Sequence, residues 1–313
     1  MMELAKKPAE GEAWDVLLVG SGPSSLTAAI YATRGAASTL VLGGVKWGGQ
    51  LMLTTTVDNF PGFPDGVHGP ELMGLMRKQA ERFGALVIEE NVTELDVSSK
   101  PFVAVAGGKK YKAKSVIIAT GAEISWLGVP GEQKLLGRGV SSCAPCDAPF
   151  FKGKKVAVVG GGDSAMEEAL VLTKYATEVT IIHRRDQFKA SKAMQQKVLN
   201  NKNIKIIWNT EVMEILGDQK VEGVKLLNNQ TSKTSELAID GIFVAIGHTP
   251  STKIFSGKID LDEKGYAKYP INTPGVFVAG DVHDYRYKQA VTAAGFGCMA
   301  AMDALKYLEE LKG

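Results

Sequence analysis

Residues 15–35 read DVLLVGSGPSSLTAAIYATRG: a short apolar run, a glycine-rich turn, then apolar residues at helical spacing. That order makes a strand, a tight bend and a helix. The turn, Gly20-Ser21-Gly22-Pro23-Ser24-Ser25, lets a pyrophosphate approach the backbone at a helix N-terminus, although Ser25 stands where a third glycine or alanine is usual. Alone, the pattern also suits an ordinary strand-to-helix turn. The chain repeats it at 155–175, KVAVVGGGDSAMEEALVLTKY, with Gly160-Gly161-Gly162-Asp163-Ser164-Ala165 in the same place. Each copy runs into a further strand, STLVLGG at 38–44 and EVTIIHRR at 178–185, completing a right-handed βαβ crossover on a parallel sheet. The chain therefore carries two dinucleotide-type α/β folds.

Three later strands end in glycine: SVIIATGA at 115–122, GIFVAIGH at 241–248 and GVFVAGDV at 275–282. The third belongs to neither repeat locally. The simplest arrangement inserts the second fold, residues 123–248, into the first, so that 1–122 and 249–313 form one domain. The last segment, 288–312, has apolar residues at helical spacing and small residues at its start, and is expected to pack on that domain.

At 313 residues the chain has room for two domains, each with its own core. A formal charge of +2, with both signs mixed along the chain, supplies no patch for nucleic acid or an anionic membrane, and neither partner is expected. The N-terminal stretch MMELAKKPAEGEAWD is polar, without the apolar core of a signal peptide, so the expectation is a cytoplasmic protein.

An acidic residue usually follows the second strand of such a unit and binds the ribose hydroxyls. Neither copy has one. The second carries His183-Arg184-Arg185, with Lys189 beyond, and cations there suit the 2′-phosphate of NADP; a solvated basic strand end is the plainer alternative. The first copy has Gly43-Gly44. Two of three cysteines lie in SSCAPCDAPFF, 141–151. One C-x-x-C with four scattered histidines lacks the second ligand pair of a zinc site, and a three-residue loop gains little from a structural disulfide, so redox chemistry is the better reading. Asp147 directly behind the pair suits a proton carrier or a helix N-cap. Cys298, in a run of small residues, is expected in the core.

With these motifs in place, nearly the whole chain resembles the low-molecular-weight, two-domain thioredoxin reductase family: GSGPSS, GGQL, DNFPGFP, ATGA, SSCAPCDAPFF, GGGDSAMEEA, HRRDQFKAS, AIGH, GVFVAGDV and KQAVTAAGFGCMAA occur in its order and spacing. The resemblance implies FAD in the outer domain, NADPH in the inserted one, and an active-site disulfide on the inserted one. It implies FAD contacts at Gly20, Ser21, Gly22, Pro23, Gln50, Asn59, Asp281, Gln289 and Ala290, and the NADP phosphate at Arg184, Arg185 and Lys189. Cofactor-binding positions also include Gly49, Leu51, Val92, Gly121, Gly280 and Lys288, and Gly160, Gly162, Asp163, Ser164, Ala165, His183, Ile246 and Gly247. Cys143, Cys146 and Asp147 become the redox centre, with Cys146 nearer the flavin in relatives.

The chain departs from the family's usual pattern at Gly43 (an acid), Pro145 (often threonine), Lys189 and Lys288 (both arginine). The implied activity is transfer of electrons from NADPH through FAD to the Cys143–Cys146 disulfide and on to thioredoxin or a similar small disulfide protein, by a homodimer. With the nicotinamide site and the cysteines on one inserted domain, that domain is expected to turn about 121–124 and 247–252. The alternatives are an NAD(P)H oxidase with vestigial cysteines, against which the intact Cys143, Cys146 and Asp147 count, and a flavin-binding redox sensor without turnover.

Overall fold

The computed structural model describes residues 7–9, 11–54 and 56–312, so residues 1–6 and 10 of the polar N-terminal stretch lie outside them. The chain divides into two compact units, one comprising everything up to Glu123 and from Thr249 onward, the other Ile124–His248. Among the described residues the α-helices are α1 (Pro23–Arg34), α2 (Gly69–Arg82), α3 (Ala144–Asp147), α4 (Asp163–Leu172), α5 (Lys192–Leu199) and α6 (Ala290–Glu310).

The first unit is built on a seven-stranded sheet in the order Leu86–Ile88, Thr39–Leu42, Trp14–Val19, Lys109–Ile118, Phe102–Ala106, Val92–Asp96, with Val276–Val278 also beside Lys109–Ile118. The first three strands, the fourth and the late strand pair in parallel; Val92–Asp96 and Phe102–Ala106 form an antiparallel meander with Lys109–Ile118. Val16, Leu17, Leu18 and Val19 are all buried, as a parallel strand covered on both faces requires. One face packs Phe102, Phe255, Val276 and Val278. The other packs α1 and α6 through Ala28, Ala29, Ala32, Ala300, Ala301 and Ala304, whose small side chains let the two helices come close.

The second unit has a five-stranded parallel sheet in the order Val140–Ser141, Gly241–Val244, Lys155–Val159, Glu178–Ile182, Ile204–Ile207. A separate antiparallel sheet, Thr210–Leu216, Gly223–Asn228 and Thr234–Ala238, contributes Val212, Ile215, Val224 and Leu226 to the core on one face. The other face is covered by α3 and α4 through Ala144, Ala165, Met166, Ala169 and Leu172.

The repeat seen in the sequence is a repeat of hydrogen bonds. Gly20 donates its N–H to Leu42 at 2.9 Å and Ala119 to Val19 at 2.8 Å; in the second unit Gly160 donates to Ile182 at 3.2 Å and Ala245 to Val159 at 2.9 Å. A Cβ on Gly20, at φ +117°, would lie 2.2 Å from the Ala119 carbonyl, and one on Gly160 would lie 2.4 Å from that of Ala245. Both turns are pressed against the end of the next strand, where only glycine fits.

Gly297 of α6 faces α1, and a Cβ there would meet the Ser24 carbonyl at 2.0 Å, whereas one on Gly74 of α2 meets nothing. Gly297→Ala is expected to cost about 1–3 kcal/mol through overpacking. Gly74→Ala is expected to be neutral or to gain up to about 1 kcal/mol, because glycine is a poor helix former. Urea denaturation midpoints of the two variants test this, and equal stabilities would contradict the close packing of α1 on α6.

Candidate active site

In the second unit the edge strand Val140–Ser141 pairs with Gly241–Val244, setting Ser141 opposite Phe243, and delivers the chain into α3. Cys143 is the extended N-cap residue, and the N–H groups of Cys146 and Asp147 both donate to its carbonyl, at 3.2 and 3.1 Å. This single turn brings Cys146 back to Cys143, and the two form a disulfide. Pro145 sits in the first turn of α3, where a missing N–H leaves no helical hydrogen bond unmade. A 3₁₀ turn, Ala148–Phe151, follows, anchored by Phe151, whose ring meets Phe243 edge-on at 5.2 Å. Gly241 makes room for it, since a Cβ there would lie 2.1 Å from the Phe151 ring.

Asp147 closes α3. Burial pushes its carboxyl above the ordinary range, opposed by a hydrogen bond with Ser141. Its side chain makes no capping hydrogen bond to the 3₁₀ turn that follows, so a capping role does not account for it. Cys298, expected in the core, is half-exposed on α6, with its thiol 3.9 Å from the Met302 sulfur.

The second turn leads into α4, whose N-cap, Gly162, supplies no side-chain cap. A Cβ on Gly162 or Gly247 would meet nothing within 4 Å, which leaves open space over the turn. The basic segment is tied to the turn: Lys189 and Ala190 donate their N–H groups to the Gly161 carbonyl, at 2.8 and 3.1 Å, and Ser191 gives its N–H and O–H to the Asp163 carboxylate, at 2.9 and 2.8 Å. Asp163 thus holds the loop. Arg184, Arg185, Lys189 and Ser164 are exposed beside the turn, Ala165 is buried under it, and Ile246 is 45% exposed.

His183 differs from the cationic reading of its motif. It is buried, hydrogen-bonds through Nε2 to the Gln187 carbonyl at 3.0 Å, and lies where a Gly161 Cβ would strike its ring at 2.2 Å. Burial depresses its pKa, with Arg185 and Arg184 adding to that and hydrogen bonds opposing it. The ring packs beneath the turn, near Phe188 and Trp208, and supplies no cation.

In the first unit α1 starts at Gly22, again with no side-chain cap and no acid in its first turn. Gly22 and Gly121 have open space where a Cβ would stand, and Gly49, at φ +68°, lies against Gly22. Ser21 is buried, its hydroxyl donating to the Gly43 carbonyl at 2.6 Å and accepting the Gly48 N–H at 2.9 Å. It therefore braces the loop that leads to Gly49, Gln50 and Leu51, and Gln50 donates through Nε2 to the Ala122 carbonyl at 3.3 Å. Val92 begins the meander strand Val92–Asp96.

Gly280 and Asp281 follow the late strand. Burial pushes the Asp281 carboxyl up to about 6, with Asp284 adding to the rise and Lys288 opposing it. Asp284 accepts the N–H groups of Arg286, Tyr287 and Lys288 at 2.9, 2.9 and 3.1 Å, holding Lys288 at φ +48°. That turn presents Gln289 as the N-cap of α6, ahead of Ala290, with Asn59 donating to its side-chain oxygen at 3.2 Å. The bracing roles of Ser21, Ser141 and Asp284 were missed by motif reading. An Asp followed two to four residues later by the N–H groups it binds is a local pattern, so Asp284 alone had a findable signal.

The family described as pyridine nucleotide-disulphide oxidoreductase matches residues 14–297. The chain is 50% identical over 304 residues to thioredoxin reductase of Streptomyces coelicolor, covering 95% of this chain and 94% of that one. It is 48% identical to the bifunctional thioredoxin reductase/thioredoxin of Mycobacterium leprae, covering 96% of this chain and 67% of that protein. Among solved structures, thioredoxin reductase from Streptococcus pyogenes superposes with a TM-score of 0.91 at 38% identity, covering 95% of this chain and 99% of that one. The chain therefore belongs to the pyridine nucleotide-disulphide oxidoreductase family and, within it, to the low-molecular-weight thioredoxin reductases.

Proposed function

We propose that this chain reduces thioredoxin, or a similar small disulfide protein, at the expense of NADPH, through FAD and the Cys143–Cys146 disulfide. The observation that carries the reading is a disulfide on one helical turn, closed by an acid of raised proton affinity, in the unit that also holds the second dinucleotide-type turn.

Both cofactor sites fit their groups. The uncapped N-terminus of α1, the open space at Gly22 and Gly121 and the half-buried Asp281 suit FAD in the first unit. The uncapped N-terminus of α4, the open space at Gly162 and Gly247 and the exposed Arg184, Arg185 and Lys189 suit NADPH in the second. Bound FAD supplies a relay that accepts a hydride from NADPH and yields an electron pair to a disulfide.

The chain's own residues manage the thiols and protons. The Cys143–Cys146 bond takes up two electrons and two protons and becomes a dithiol. One thiol then loses its proton to Asp147 and, as thiolate, forms a mixed disulfide with the partner. The partner's departing sulfur takes that proton; the second thiol of the pair then gives up its own proton and attacks the sulfur of the first, re-forming Cys143–Cys146 and expelling the partner's remaining sulfur, which takes the proton and leaves the partner a dithiol. The raised proton affinity of Asp147 brings it closer to that of a thiol, which favours transfer in both directions.

A homodimer accords with Tyr31 on α1 and Val291, Met299 and Met302 on α6, all large apolar side chains left exposed. A cytoplasmic setting accords with a dithiol kept reduced by a nicotinamide cofactor. Among the described residues no helix is long and apolar enough to cross a membrane.

Three measurements test the reading. Cys143→Ser and Cys146→Ser should each abolish thioredoxin reduction while NADPH still bleaches the flavin, because exchange needs both sulfurs; Asp147→Asn should slow exchange about 10²–10⁴-fold. Normal thioredoxin reduction by either serine variant would remove the Cys143–Cys146 pair from the mechanism, and NADPH oxidation by the natural enzyme with no thioredoxin reduction would leave an NAD(P)H oxidase instead. The natural enzyme should prefer NADPH over NADH by at least about tenfold in kcat/KM, and changing Arg184 and Arg185 to alanine should erase the preference.

The third concerns Asp281. Its folded pKa is raised, so its contribution to stability is lost as pH rises through about 6. Asp281→Asn should stabilise the flavin-free chain by about 2–3 kcal/mol at pH 7–8 and give no gain below about pH 4, while weakening flavin retention in the holoenzyme. Urea titrations across pH and flavin release on gel filtration read the two effects.

A further inference from the structure

Ser141 lies outside the C-x-x-C-D motif, yet its hydroxyl touches both ends of the helical turn that carries it. It is buried on the edge strand beside Gly241–Val244. Its oxygen accepts the N–H of Cys143 at 3.1 Å, and its side chain hydrogen-bonds Asp147. A hydroxyl has one hydrogen and spare acceptor capacity, so the proton goes to the carboxylate while the oxygen takes the amide. The chain of bonds runs from the Cys143 backbone through Ser141 to the Asp147 carboxylate. A single turn of helix does not hold its own shape. Here one buried hydroxyl joins its N-cap to its last residue.

We propose that Ser141 is a positioning residue for thiol–disulfide exchange: it holds the Asp147 carboxylate in register with the cysteine pair as that pair opens and closes. The inference rests on the reading of Asp147 as the proton carrier. The helix packed on α3 is α4, with Asp163, Glu167 and Glu168, and Lys152, Lys154 and Lys155 follow or flank the 3₁₀ turn. None of these contributes to the shift at Asp147, whose causes are burial and Ser141.

The hydrogen bond favours the ionised carboxyl, so removing it raises the proton affinity of Asp147 further. The test uses the FAD-loaded enzyme carrying Ser141→Ala, Ser141→Thr, Asp147→Asn or the double change Ser141→Ala with Asp147→Asn. Thioredoxin reduction is followed as kcat/KM from acid to alkaline pH, and flavin reduction by NADPH is followed in parallel. Ser141→Ala should move the acid limb upward by about one pH unit, a loss of about tenfold on the acid side that recovers at alkaline pH, with flavin reduction unchanged. Ser141→Thr should keep the natural profile, and the double variant should be no slower than Asp147→Asn alone. A uniform loss at every pH, an unmoved profile, or a further loss in the double variant would overturn the inference. Natural exchange rates in Asp147→Asn would instead overturn the acid/base role on which it rests.

Discussion

The close approach of a glycine to the end of a neighbouring strand is the constraint from which both glycine-rich turns follow. Gly20 against Ala119 and Gly160 against Ala245 leave no space for any side chain. Because the first strand of each unit is pinned on both sides by backbone hydrogen bonds, its helix has one place to begin, over the carboxyl ends of the strands. The uncapped N–H groups of α1 and α4 then point where an anion is wanted. The surrounding polar residues brace this geometry: Ser21 fixes the loop opposite the first turn, and Asp163 fixes the basic loop opposite the second.

The redox element obeys different physics. A four-residue helix has no stability of its own, so its shape is imposed from outside by the edge strand, by Phe151 seated in the gap left by Gly241, and by Ser141. That arrangement suits a bond that is made and broken in every cycle, since the frame does not depend on the disulfide it carries. Asp147 gains its raised proton affinity from being partly withdrawn from water, at a position the short helix alone would leave exposed.

Much of this was legible in the amino-acid order. The two strand–turn–helix units, the returning strand at Val276–Val278 and the cysteine pair are local patterns with fixed spacing, and they survive translation into structure. The meander Val92–Asp96 with Phe102–Ala106 and the antiparallel sheet Thr210–Leu216 with its partners carry no turn motif of fixed spacing, and α2, though amphipathic, follows no glycine-rich turn. Side-chain roles were harder still. His183 reads as a third cation beside two arginines, and its burial, its bond to the Gln187 carbonyl and its place under Gly161 show that its ring turns inward. Ser21 and Ser141 are ordinary small residues in the sequence, and their importance comes from partners brought to them by the fold.

The late strand Val276–Val278 lies beside Lys109–Ile118, and α6 packs against α1, joining residues that leave the ribosome far apart in time. The unit spanning Ile124–His248 is continuous and closes on itself as soon as it has emerged. The first unit cannot close until the residues from Thr249 onward, α6 among them, have been made, and until then the alanine face of α1 waits uncovered. Translation order thus reverses chain order: the segment made second is the first to reach its finished form, and the first-made half spends the interval as the part most in need of protection from aggregation.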